Sequence, residues 1–126
     1  MEAWRIGLVA GGVSGAVAVA LGAFGAHALR AWLPLQMMTI WETASRYHLT
    51  HTLALVLCAG LLATHPGRSA LKWAMWCFLG GIVLFPGSLY LRVLADVPAF
   101  GMVTPLGGLL WIAAWGLLAA AFLRRS

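Results

Sequence analysis

The stretch Ile6–Ala28, IGLVAGGVSGAVAVALGAFGAHA, contains no Asp, Glu, Lys or Arg and decides the class of this protein. A helix that rises 1.5 Å per residue needs about 20 apolar residues to cross about 30 Å of hydrocarbon. Three further stretches, Ala44–Ala63, Leu71–Leu91 and Thr104–Leu123, have similar length and character. The sequence therefore predicts an all-α integral membrane four-helix bundle. It forms a single transmembrane domain over residues 1–126, with helices at about 6–28, 40–63, 71–91 and 104–123.

The composition supports this prediction and excludes other classes of protein. Hydrophobic residues make up 63% of the chain and charged residues 9%, against roughly 45–50% and 25% in soluble domains. Backbone groups in lipid must be satisfied internally, and alternating strands of barrel length are absent, so helices are the predicted spanning elements. The net charge of +5 comes from basic residues scattered between the helices. We expect the lipid bilayer as partner and no nucleic acid.

The positions of Lys and Arg predict the orientation. Five basic residues flank one side of the predicted spans and three flank the other: Arg5, Arg68, Lys72, Arg124 and Arg125 against Arg30, Arg46 and Arg92. The positive-inside rule then predicts a multi-pass protein of the plasma (inner) membrane with both termini cytoplasmic; an inverted topology is the alternative. Ala26-His27-Ala28 resembles a signal-peptidase site, but the apolar run is longer than a signal peptide needs, so we interpret it as a span.

The first predicted helix carries a stripe of small residues at helical spacing. Its members, which we call the glycine stripe, are Gly7, Gly11, Gly15, Ala18, Gly22 and Gly25. Small residues let helices approach closely in lipid, where van der Waals contact drives association. The stripe predicts close packing against a helix of this chain or of a second subunit.

Polar residues cluster at the predicted outer end of the second helix. Tyr47, His48 and His51 share one face, with Thr52 alongside, whereas Glu42 and Arg46 lie opposite them in favourable i,i+4 order. Thr39 to Glu42 matches a capping box that would start this helix near Ile40. With residues from the other helix ends, the candidate polar cluster is His27, Glu42, Arg46, Tyr47, His48, His51, Ser88, Tyr90 and Arg92.

Three interpretations of this cluster stay open: a structural hydrogen-bonded network, a proton or small-ion path, and a metal or haem site on His27, His48 and His51. Two histidine nitrogens do not make a metal site, so we predict no metal and no cofactor. Glu42 is assigned to its cap, and Asp96 is expected to pair with Arg92. No catalytic residue set remains, and we predict no enzymatic activity.

Two prolines mark further boundaries. Pro86-Gly87 is expected to bend or break the third helix, because proline removes a hydrogen bond and clashes with the preceding turn. Thr104-Pro105 supplies a cap residue followed by proline at the first helical position, which predicts the start of the fourth helix.

Four blocks of sequence resemble one family. They are Gly22–Leu29 (GAFGAHAL), Trp41–Ala44 leading to Tyr47 and His51, Leu84–Tyr90 (LFPGSLY) and Thr104–Gly108 (TPLGG). In this order they are similar to the small inner-membrane proteins called YgdD-like. The resemblance implies a four-span plasma-membrane protein of unknown function and supplies no catalytic residue. Pro86 departs from the small residue expected at that position.

The leading functional hypothesis is a structural or accessory membrane component, as a homo-oligomer or within a larger membrane complex docked through the glycine stripe. The alternative is a proton or small-ion conductor that uses Tyr47, His48 and His51 with Glu42 or Arg92. A weaker alternative is a His-ligated metal or haem protein.

Overall fold

A computed structural model describes residues 1–123; Arg124 and Arg125, which contribute to the predicted orientation, lie outside the described residues. Within that range the protein is helical and contains no strand. The helices are α1 (Ala3–His27), α2 (Leu35–Thr64), α3 (Ser69–Leu84), α4 (Pro86–Ala95) and α5 (Thr104–Leu123). With two short 3-10 segments, Leu29–Ala31 and Pro98–Met102, the described residues form four segments long and apolar enough to span a membrane. The predicted all-α membrane fold is confirmed.

The second span begins earlier than the capping box predicted. Helix α2 starts at Leu35, directly after Pro34, whose fixed φ suits the entry to a helix. Thr39 is already inside the helix, where its hydroxyl donates to the Leu35 carbonyl at 3.0 Å. The prediction of a start near Ile40 was therefore wrong.

The third span is broken, as Pro86 predicts. Phe85 separates α3 from α4. The Ser88 hydroxyl donates to the Phe85 carbonyl at 2.8 Å and lies 2.6 Å from the Thr104 hydroxyl, which opens α5. Because the Ser88 hydrogen is already committed, Thr104 is the donor of that second bond. A hydrogen bond from Thr104 of α5 thus stabilises the break between α3 and α4.

The glycine stripe packs within the chain. A Cβ atom on Gly7 would overlap Ala59 of α2 and Met75 of α3, and one on Gly11 or Gly25 would overlap a side chain of α2. Of the two predicted partners, the helix of the same chain is the one observed, so the stripe is not a free docking face. Gly7, Gly11 and Gly25 are thus covered by helices of this chain, and docking to a second subunit stays a prediction.

The interior consists of two apolar clusters with a polar layer between them. Along α2, the buried residues run from Met38, Trp41 and Ala44, through the polar layer, to Leu55 and Cys58. We call the end of the bundle that carries Arg30 and Glu42 the Glu42 end. The polar layer itself consists of Ser14, His48, His51 and Thr52, with Tyr90 contributed by α4.

Candidate functional site

A chain of four hydrogen-bonded side chains connects three spans inside the bundle. Ser14 Oγ lies 2.6 Å from Thr52 Oγ1 and 3.0 Å from His48 Nε2, and the Tyr90 hydroxyl lies 3.0 Å from His48 Nδ1. We call these four residues the relay chain. The exposed fractions of Ser14, His48 and Tyr90 are only 9%, 4% and 7%. Intramembrane polar groups of this kind face protein or a cavity and are candidates for function.

The relay chain lies deeper than the sequence predicted. Ser14 is close to the midpoint of α1, and His48 is close to the midpoint of α2. The prediction placed His48 and its neighbours at the outer end of the second helix. The difference lies in the register between the two helices, because His48 hydrogen-bonds to Ser14 in the middle of the first apolar stretch.

Both hydrogen-bond partners of His48 are hydroxyl groups, which can either donate or accept a hydrogen bond. A neutral imidazole has one N–H donor and one acceptor nitrogen, and a hydroxyl can serve as either. In one arrangement Tyr90 donates to Nδ1 and Nε2–H donates to Ser14. In the other, Ser14 donates to Nε2 and Nδ1–H donates to Tyr90. Both tautomers of His48 therefore satisfy the same geometry.

His51 lies one turn away and has no such freedom. Its Nδ1 lies 2.9 Å from the Tyr47 carbonyl oxygen, which can only accept, so Nδ1 carries the hydrogen. Its Nε2 then accepts from the indole N–H of Trp115 at 3.2 Å. The ring also stacks on Trp111. His51 is thus held in one tautomer and serves to tie α2 to α5.

Of the side chains that hydrogen-bond to the two histidines, Tyr90 belongs to the predicted polar cluster, whereas Ser14 and Trp115 were not predicted. Ser14 lies inside the glycine stripe, where only its polarity distinguished it from its neighbours. Trp115 carries an indole N–H inside a span, and such a group needs an acceptor. That requirement is a usable signal, although it does not identify His51 as the acceptor.

An apolar groove opens beside the relay chain, between α1 and the α3–α4 break. Its volume is about 440 Å³, which falls within the range of small-molecule sites. Val13 and Val17 of α1 form one wall, and Ile82, Pro86 and Gly87 contribute to the other. The only polar side chains among the described residues that line it are Ser14, His48 and Tyr90.

A second, polar pocket of about 250 Å³ lies at the Glu42 end. Arg30, Glu42, Ser45 and Arg46 contribute to its lining. The Glu42 carboxylate accepts from Arg30 at 2.9 Å and lies inside α2, which begins at Leu35, so the assignment of Glu42 to a helix cap was wrong. The Ser45 hydroxyl is buried and lies beside the Tyr90 phenol, but makes no hydrogen bond of good geometry with the described residues.

The remaining predicted residues do not join the relay chain. His27 is exposed at the end of α1. Tyr47 packs its ring on Phe85, with 5.2 Å between centroids, and Ser88 stabilises the helix break. Arg92 donates to Met37 Sδ at 3.4 Å, and its expected ion pair with Asp96 is absent from the ion pairs of residues 1–123.

The three histidines proposed as metal or haem ligands are not brought together. In the part of the chain that the structure describes, no group of three or more His, Cys, Asp or Glu side chains could hold a metal ion. His48 and His51 each use both ring nitrogens in bonds to protein groups. This geometry does not favour the metal interpretation.

Comparison with known proteins places the chain among membrane proteins. Residues 21–108 match a family described as a protein of unknown function, DUF423. A UPF0382 membrane protein of Bacillus subtilis is 36% identical over 117 residues, covering 93% of this chain and 95% of its own. A UPF0382 membrane protein of Staphylococcus epidermidis is 39% identical over 122 residues, covering 95% and 97%. No solved structure matches the chain.

Proposed function

This chain belongs to the DUF423 family of membrane proteins of unknown function, and we propose that it relays protons between the polar pocket at the Glu42 end and the groove in the bilayer interior. One observation carries the proposal. His48 is buried between two hydroxyl groups that accommodate either tautomer. An imidazole in that setting can accept a proton on one nitrogen while it releases one from the other.

The proposed transfer leaves the charge of Tyr90, His48 and Ser14 unchanged. A proton enters from the Ser45 side to the Tyr90 oxygen, and the original phenolic hydrogen passes to His48 Nδ1. The Nε2 hydrogen passes to Ser14 Oγ, and the Ser14 hydroxyl hydrogen passes to an oxygen in the groove. Tyr90, His48 and Ser14 each gain one hydrogen and lose one, so none of these three groups retains a charge, which would be costly at this depth. The charge moves on with the proton to the acceptor in the groove.

The relay covers one half of the bilayer. Beyond Thr52, the α2 residues that face the interior are apolar, among them Leu55, Cys58 and Leu62. The described residues therefore favour exchange with the groove over conduction across the whole membrane. The proposed proton path is therefore shorter than the one in the conductor hypothesis. It does not include Glu42 or Arg92 within the membrane.

Nitrogen-15 NMR of the protein in lipid bilayers tests the proposal, because it reports which ring nitrogen of His48 carries the hydrogen and how fast that hydrogen exchanges with water. We expect both tautomers of His48 to be populated and its ring N–H to exchange with water faster than that of His51. His51 is the internal control, because it is on the same helix, is also buried and has a single permitted tautomer. A single tautomer at His48, with exchange no faster than at His51, would reject the relay.

A structural or accessory role is a second candidate function. It is favoured by an exposed set of small residues on α1, Gly12, Ala16 and Ala20, spaced four residues apart on a face outside the glycine stripe. Native mass spectrometry from mild detergent tests it. We expect Gly12→Leu to dissociate any homo-oligomer or larger complex, and Gly60→Leu, where a Cβ meets nothing within 4 Å, to leave it intact.

We also propose the inner membrane as the location, with both termini cytoplasmic and the Glu42 end on the other side. The five-to-three distribution of basic residues supports this orientation. We likewise propose that the chain is related to the YgdD-like proteins and that it has no enzymatic activity. Labelling of single cysteines placed at Ser69 and at Pro98 by a membrane-impermeant maleimide in intact cells tests the orientation, with labelling expected only at position 98.

A further inference from the structure

We infer that the groove binds a neutral, membrane-soluble molecule that presents a carbonyl oxygen to the relay chain. The inference goes beyond the proposed relay, because the carbonyl oxygen accepts a hydrogen bond from the relay chain and is not the acceptor of its proton. Binding itself can be measured whether or not protons move.

The first support is a count of hydrogens. Thr52, Ser14, His48 and Tyr90 each carry one hydrogen that can be donated, giving four, when His48 is neutral. Three hydrogen bonds link them. One hydrogen is therefore left over in every arrangement of the chain. When the bonds run towards Tyr90, the phenol presents the leftover hydrogen, and when they run towards Thr52, the Thr52 hydroxyl presents it. When Thr52 and His48 Nε2–H both donate to Ser14, the Ser14 hydroxyl presents it.

The second support is where that hydrogen can point. Both Ser14 and Tyr90 line the groove. A buried donor without an acceptor costs about 1–3 kcal/mol. The Tyr90 phenol has the Ser45 hydroxyl beside it. When Ser14 presents the leftover hydrogen, however, both of its neighbours already donate to it, and an acceptor oxygen in the groove would satisfy its hydroxyl. A carbonyl oxygen only accepts, and this matches a site with a surplus of donors.

The third support is charge. The described residues that line the groove include no Asp, Glu, Lys or Arg. A phosphate or ammonium group placed there would be buried without a counter-charge, which is strongly unfavourable. The groove is thus complementary to a neutral head group and not to a phospholipid head group.

The fourth support is shape and access. From Ala10 to Leu21 the groove follows α1 for roughly 16 Å at 1.5 Å per residue. Its wall residues Val13 and Val17 are 61% and 43% exposed, so the groove is open sideways, towards the hydrocarbon of a bilayer. A ligand with an apolar body can enter from the lipid and place its oxygen at the relay chain.

The test uses two photoreactive probes with the protein in phosphatidylcholine nanodiscs. One is an alkyl ketone that carries a diazirine, and the other is the hydrocarbon diazirine of the same length. We expect the ketone to label groove peptides roughly two- to tenfold more than the hydrocarbon, the range for one net hydrogen bond. The double variant Ser14→Ala/Tyr90→Phe should lose most of that preference.

Two glycine variants provide the matched pair. Gly87→Leu fills the groove, and its Cβ would meet only the Ile82 carbonyl oxygen, at an ordinary 3.7 Å. It should reduce labelling by both probes. Gly116→Leu introduces the same side chain on α5, where a Cβ meets nothing within 4 Å, and should label like the wild type.

Equal labelling by the two probes in the wild type, labelling unaffected by Gly87→Leu, or ketone preference unchanged in the double variant would each overturn the inference. A phospholipid that co-purifies and occupies the groove would do the same. A ketone preference found together with a single His48 tautomer would reject the relay and leave the site standing. Two His48 tautomers without ketone preference would reject the site alone.

Discussion

The imidazole of His51 stacks on the indole of Trp111, with ring centroids 3.6 Å apart and planes 5° from parallel. Together with the bond from Trp115, this contact fixes the histidine on three sides. His48, three residues earlier, has hydroxyl partners at both nitrogens. Two histidines of one helix therefore differ in the number of tautomers they can adopt because of the groups that surround them.

Trp115→Phe should destabilise the bundle by about 1–3 kcal/mol. The change retains an aromatic ring but removes the donor to His51 Nε2, leaving a buried acceptor unsatisfied. The free energy of unfolding can be measured by titration with a denaturing detergent. Trp73→Phe is the control, because Trp73 is exposed and its loss should have little effect. Equal stabilities of the two variants would show that the Trp115 bond contributes nothing measurable.

Ser45→Ala should slow exchange of the His48 ring hydrogen with water and leave His51 unchanged. The Ser45 hydroxyl lines the polar pocket and lies beside the Tyr90 phenol, at the predicted entrance of the relay. Nitrogen-15 NMR in bilayers reports both histidines in the same sample. Exchange at His48 that is as fast as in the wild type would indicate another entrance, such as the groove.

Gly107→Ala should lower the free energy of unfolding of the bundle far more than Gly108→Ala. A Cβ on Gly107 would overlap backbone atoms of Phe85 at the α3–α4 break, whereas one on Gly108 would meet the Phe85 ring at 3.8 Å, an ordinary contact. Overpacking costs about 1–3 kcal/mol, and a backbone neighbour has little room to yield. Detergent titration of the two variants should separate them, and similar stabilities would mean that α5 can shift away from the break.

Glu42→Gln should change stability by less than about 1 kcal/mol. The ion pair with Arg30 has good geometry, but both side chains are largely exposed, and exposed pairs are screened by water and salt. Unfolding measured at low and high salt provides the check. A large effect that persists at high salt would indicate that this pair is buried in an assembly.

The apolar stretches sufficed to predict the four spans, because length and lack of charge alone determine whether a helix crosses a bilayer. Pro86 also sufficed to predict the break between α3 and α4, since proline disrupts a helix through its own backbone geometry. The start of α2 was misjudged because Pro34 and the Thr39–Glu42 pattern both fit a helix start, and local patterns do not rank them.

The site was less predictable, because it depends on the register between helices. A helical projection places His48 and His51 on one face, but it does not reveal that Ser14 faces the first and Trp115 the second. Likewise, Glu42 had a partner at the favoured spacing within its own helix and instead pairs with Arg30, which follows α1. Contacts between spans decide these pairings, and one sequence does not specify them.

The position of Ser14 has a consequence for how the protein is made. Both of its hydrogen-bond partners, His48 and Thr52, belong to the very next span, and the glycine stripe of α1 packs closely on that same span. The first two helices can thus enter the bilayer together as a hairpin that conceals its own hydroxyl groups. Within the relay chain, His48 Nδ1 then still lacks a partner, and the next span to be synthesised supplies Tyr90.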